Sequence, residues 1–138
     1  MDLDVILVHA PSVYDFRGRD DVTFPYLGNS DSVHVSPVFE MPPVGLLAIQ
    51  QHLRRLGHDV ELFNLASQML RDDTFDVPSF LKQVRAPLFG VDLHWMAHCH
   101  GALALAELYK GLHPDARVMV GGLSATYFHD ELLQYPQV

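Results

Sequence analysis

Two stretches of this 138-residue chain hold residues whose types and spacing could do chemistry. The first is Gly121-Gly122, which directly follows the apolar run Arg117-Val118-Met119-Val120 and opens into Leu123-Ser124-Ala125-Thr126. A strand that runs into two glycines lets a ligand approach the backbone, because no side chain stands in the way. A polar cofactor would lie against exposed amides and the hydroxyls of Ser124 and Thr126. The same residues also suit a tight strand-to-helix turn that holds nothing. A P-loop is excluded because its lysine is absent. The dinucleotide fingerprint is excluded too, since its glycines belong after the first strand, where this chain has His9-Ala10-Pro11-Ser12.

The second stretch is Asp92-Leu93-His94-Trp95-Met96-Ala97-His98-Cys99-His100. His94 and His98 are four apart and would share a face if the segment were helical. With Cys99 or His100 they would make a metal site. The segment spans a strand end and a helix start, so packed Trp95 and Met96 beside hydrogen-bonded histidines are the favoured account of it. It also nearly spells Asp-x-His-x-x-Gly, in which a histidine ligates cobalt in some cobalamin proteins. Position 97 is Ala, and that motif belongs after the first strand, so His94 is not assigned as a cobalt ligand. Asp15, Asp20, Asp21, Asp31 and Glu40 lie in a polar stretch with nothing to order them as paired carboxylates.

These segments must be positioned by a sheet. Val5–Val8, Val60–Phe63, Leu88–Val91 and Arg117–Val120 read as short strands, the first a continuous apolar run typical of a strand buried on both faces. Helices are expected over about 44–56, introduced by Pro42-Pro43 and capped by Gly57, then over about 79–84 and 101–112, with a last helical turn over about 130–135. The apolar spacing of the first helix selects Leu46, Leu47, Ile49, Leu53 and Leu56 as its packed face. A long irregular segment, about 10–43, carries Tyr14, Phe16, Phe24, Tyr26 and Phe39 as a possible ligand cover or sheet-edge packing. Strands alternating with helices imply right-handed crossovers and a parallel α/β sheet. Ligands bind outside the carboxyl ends of such strands, where Gly121-Gly122 falls.

Composition narrows the function classes. Apolar residues make up 49% and charged residues 19%, as in a folded domain. A formal charge of −8 without a basic cluster argues against nucleic acid as partner. The one cysteine, Cys99, rules out an internal disulfide and a multi-thiolate iron–sulfur site in this chain. The apolar runs are too short to span a bilayer and no signal-peptide pattern opens the chain, so a cytoplasmic protein is expected.

With these residues in hand, the chain resembles a known family. Pro42-Pro43-Val44-Gly45-Leu46-Leu47, Leu53-Arg54-Arg55-Leu56-Gly57-His58-Asp59-Val60, Gly90-Val91-Asp92, Tyr109-Lys110 and Val120-Gly121-Gly122 follow one another as in the N-terminal cobalamin-binding domain of radical SAM enzymes. Similar proteins include the anaerobic magnesium-protoporphyrin monomethyl ester cyclases and related methyltransferases. The resemblance implies a Rossmann-like, flavodoxin-type three-layer parallel sheet of order 2-1-3-4-5, here apparently truncated before its last strand. It implies a corrinoid held without a protein histidine on cobalt. By position, Ala10, Pro11 and Ser12 would form the loop after the first strand and Leu93, His94 and Trp95 the loop after the third. Gly121, Gly122, Ser124 and Thr126 would hold the nucleotide tail. S-adenosylmethionine and the iron–sulfur cluster would belong to a downstream catalytic domain of the same polypeptide.

Three functions follow as expectations. The first is a cobalamin-binding module that presents a corrinoid for methyl transfer or radical chemistry and does not catalyse by itself. The second is a docking domain of the same architecture without cofactor, which Trp95 filling the pocket would support. The third is a metal enzyme using His94, His98 and Cys99.

Overall fold

Val5–His9 (β1), Val60–Asn64 (β2), Leu88–Asp92 (β3) and Arg117–Gly121 (β4) form one all-parallel sheet of order β2-β1-β3-β4. The structure is a computed structural model describing residues 1–18 and 41–138. Within it the helices are Val44–Arg55 (α1), Leu65–Arg71 (α2), Val77–Gln83 (α3), Cys99–Leu112 (α4), Leu123–Tyr127 (α5) and His129–Leu132 (α6). The order agrees with the first four places of the expected flavodoxin-type sheet.

Alternation along the strands builds the layers, because successive side chains leave a strand on opposite faces. Ile6, Val8, Phe89 and Val91 point one way into the larger core, with Leu65, Met69, Leu81, Leu105 and Tyr109 from α2, α3 and α4. Val5, Leu7 and Val60 point the other way, against Leu46 of α1. Each of these side chains contributes about 1.5–3 kcal/mol when fully buried. The result is the three-layer α/β arrangement.

Two helices have no counterpart in the expected pattern. In α2, the Asn64 side chain accepts a hydrogen bond from the Ser67 amide at 2.8 Å, an N-cap that starts a helix immediately after β2. The segment after β4 winds into α5 rather than staying a loop. The expected packed face of α1 also differs. Leu46 is buried, but Leu47, Ile49 and Leu56 are 44%, 47% and 63% exposed, because α1 covers only the β1–β2 half of the sheet. Its C-terminus does end as expected, with Gly57 at φ +90° and the His58 amide bonded back to Leu53. Of the aromatics in the long irregular segment, Tyr14 and Phe16 pack against the larger core. Phe24, Tyr26 and Phe39, with Asp20, Asp21, Asp31 and Glu40, lie outside the described residues. No helix among the described residues is long and apolar enough to cross a membrane.

Candidate functional site

The carboxyl ends of the strands line up as one row. His9 pairs with Asn64, and Asp92 with Gly121. One residue past the last β1–β3 pair, Val8 with Val91, the row also brings His9 beside Asp92. The His9 Nδ1–H donates to Asp92 Oδ2 at 2.8 Å, the proton sitting on Nδ1 because a carboxylate only accepts. His9 is 2% exposed and Asp92 13%. The ring of His98, 1% exposed, meets that of His9 edge-on, with centroids 5.1 Å apart. Asp92 Oδ1 is buried and has no hydrogen-bond partner among the described residues.

Above this polar floor lies a cleft of about 330 Å³. Its apolar wall is Pro42 and Pro43 with Val44, Leu46 and Ile49 at the start of α1, and Val44 and Ile49 are exposed there among the described residues. The opposite wall is His94 and Trp95 after β3, with Gly121 at the end of β4 and Gly122 after it. Trp95 is 42% exposed and its ring meets that of His94 edge-on, so it forms a side of the cleft without filling it. An apolar cleft with a few convergent polar groups at the carboxyl ends of a parallel sheet is the usual form of a small-molecule site.

Glycine is required where the walls meet. At Gly122, φ is +122°, and an added Cβ would overlap the backbone of Leu93 and His94. That contact is stitched by Leu93 N–H donating to Gly121 O at 2.6 Å and Ser124 N–H donating to His94 O at 3.3 Å.

The expected site residues divide into three sets. His94, Trp95, Gly121 and Gly122 line the cleft. Ala10, Pro11, Ser12 and Leu93 are buried and do not line it. Ser124 and Thr126 are already hydrogen-bonded to the backbone, their hydroxyls donating to His94 O at 3.1 Å and Gly122 O at 2.9 Å. They brace the β4 exit as side chains of α5, so a ligand would find their hydroxyl protons already used.

The structure does not gather His94, His98 and Cys99. His94 is exposed before the short 3₁₀ turn Met96–His98, whereas His98 is buried within it, so the two do not share a helical face. Among the described residues no group of three His, Cys, Asp or Glu side chains could hold a metal ion. Burial pushes the Cys99 thiol up, away from the reactive thiolate.

Sequence reasoning missed His9, Asp92 and the α1 wall. Both His9 and Asp92 stand at the ends of apolar strands, and parallel pairing would have brought them together had the register been known.

Comparison with known proteins adds to this geometry. The model of the B12 binding domain family matches residues 32–138. The hopanoid C-3 methylase of Methylococcus capsulatus is 29% identical over 112 residues, covering 75% of this chain and 20% of the methylase. The chain thus spans about a fifth of the length of that curated relative. No solved structure matches significantly.

Proposed function

The chain belongs to the B12 binding domain family, and we propose that it is the cobalamin-holding module of a radical SAM enzyme whose catalytic domain lies outside these residues. The observation that carries this is the cleft at the strand ends, apolar on its α1 side and glycine-lined at β4, in a chain whose family binds this cofactor. Its apolar walls suit the face of a flat macrocycle, and the absence of side chains at Gly121 and Gly122 suits close backbone approach. When bound, a corrinoid supplies a cobalt centre that carries and transfers an alkyl group.

The residues of this chain bind and orient. Pro42, Pro43, Val44 and Ile49 exclude water on one side of the cleft, and Trp95 offers an aromatic face on the other. Gly121, Gly122, His94 and Trp95 are the contact residues in this reading. Ala10, Pro11, Ser12, Leu93, Ser124 and Thr126 support them without lining the cleft. His94 does not ligate cobalt. S-adenosylmethionine and an iron–sulfur cluster belong to the outside domain, in a cytoplasmic setting. The hopanoid methylase, five times longer than the matched share, is the parallel for such a partner domain and for methyl transfer as the parent reaction. A cofactor-free docking role is disfavoured by the open side of the cleft along Trp95.

The test is titration of the purified chain with hydroxocobalamin, followed by its visible spectrum and by retention through gel filtration. Stoichiometric retention unaffected by His94→Ala is expected. No retention at high cobalamin concentration overturns the reading, and a spectral change on His94→Ala overturns the unligated cobalt.

A further inference from the structure

A buried carboxylate oxygen with nothing to accept is costly, because water has been stripped from it without a replacement donor. Asp92 Oδ1 is such an atom. Its sister oxygen is engaged by His9 at 2.8 Å, which fixes the carboxylate in place. His9 in turn packs against His98 and cannot swing away from a site where both rings are almost fully enclosed. Asp92 lines the cleft, so the cleft is where a donor for its second oxygen can enter. His98 and His94 also line the cleft, but both are nitrogen heterocycles, so Asp92 is the carboxylate that the cleft presents.

We propose that Asp92, braced by His9, is a specificity-determining acceptor that reads an amide N–H on the ligand's rim. This rests on the corrinoid reading of the cleft. A corrinoid carries primary amides around its macrocycle, each a neutral N–H donor. A carboxylate accepts from an amide and repels a second carboxylate, so the braced Asp92 distinguishes an amidated rim from one hydrolysed to the acid. His9 is a positioning residue here, since it acts on the ligand through Asp92.

The experiment compares cyanocobalamin with its purified monocarboxylic acid derivatives, each having one rim amide converted to the acid. Binding is measured by equilibrium dialysis of the full chain at constant ionic strength. The wild-type protein is expected to bind at least one derivative about tenfold or more weakly than cyanocobalamin, as expected when a charge-assisted hydrogen bond becomes a repulsion. Asp92→Asn, which keeps the shape but offers both an acceptor and a donor, is expected to shrink that ratio to about twofold or less. Wild-type protein that binds every derivative as well as cyanocobalamin overturns the proposal without any variant, so a misfolded variant cannot rescue it. Asp92→Asn that weakens all corrinoids equally and keeps the wild-type ratio also overturns it, since Asp92 would then be structural only. Failure of wild-type protein to bind cyanocobalamin overturns the corrinoid reading itself, and the two failures are thereby distinct.

Discussion

A Cβ built on Gly122 would lie 2.7 Å from the backbone nitrogen of His94, so the exits of β3 and β4 touch backbone to backbone. Gly122 has φ +122° and ψ 179°, a combination that only glycine adopts readily. Both the conformation and the contact therefore forbid a side chain. Gly122→Ala is expected to cost about 1–3 kcal/mol or more from strain alone, read as a lower urea midpoint, and to weaken cobalamin retention. An unchanged midpoint would contradict the contact.

Two glycines of α4 make opposite predictions. At Gly101 an added Cβ would overlap the Pro11 carbonyl oxygen, while at Gly111 it would meet nothing within 4 Å. Gly101→Ala must push the start of α4 off the segment after β1, where the Gly101 amide donates to Ser12 O at 3.1 Å. Gly111→Ala should stabilise by roughly 0.5–1 kcal/mol through helix propensity. Thermal midpoints moving down for the first variant and up for the second are expected; the same direction for both would refute the packing of α4.

Trp95 is the one tryptophan of the chain and lines the cleft. Its emission should be quenched saturably by hydroxocobalamin, with the same stoichiometry as gel-filtration retention. Trp95→Phe should abolish the signal while leaving measurable retention. Retention without quenching would mean that the corrinoid binds away from this cleft.

Arg17 is a clamp with a defined pH response. Its Nε donates to Asp15 Oδ1 at 3.0 Å, and its guanidinium also donates to Asp73 O at 3.1 Å and Phe75 O at 2.8 Å. The hydrogen bond from Arg17 holds the Asp15 carboxyl below its ordinary value of 3.8. A depressed carboxyl stabilises the fold above that ordinary value, and the contribution is lost as pH falls through the lowered one. Asp15→Asn should therefore be less stable than wild type at neutral pH by about 0.2–1 kcal/mol, the range for a partly exposed pair. The gap should narrow in urea melts below pH 3.8, and a gap independent of pH would refute the assignment.

Tyr109 ties α4 to Ala86, two residues before β3, from inside the core. The Ala86 amide donates to its Oη at 3.0 Å, and its hydroxyl donates to Ala86 O at 3.3 Å. Tyr109→Phe leaves both backbone groups unsatisfied and should cost about 1–3 kcal/mol. A midpoint equal to that of wild type would show that water replaces the hydroxyl.

Much of the fold was legible because its signals are local. Continuous apolar runs at Val5–Val8 and Leu88–Val91 need cover on both faces, and the Pro42-Pro43 and Gly57 signals bracket α1. The α2 signal was present in Asn64 followed by Leu65 and Met69, but the helix is seven residues long, too short for periodicity to stand out. The hydroxyls of Ser124 and Thr126 read as ligand donors because the sequence does not show that the β3 exit offers Ser124 a carbonyl, nor that α5 begins early enough for Thr126 to bond back to Gly122.

By itself the sequence determined the alternation of strands and helices, the parallel sheet, and a glycine turn at its carboxyl edge. These follow from residue type and spacing within a few positions. Only the tertiary structure decided that His9 meets Asp92 across 83 residues, that the start of α1 walls the cleft, and that Trp95 borders it without blocking it. Those relations depend on strand order, register and the side of the sheet that each helix takes. Such choices minimise exposed apolar surface over the whole chain, so no local stretch encodes them alone.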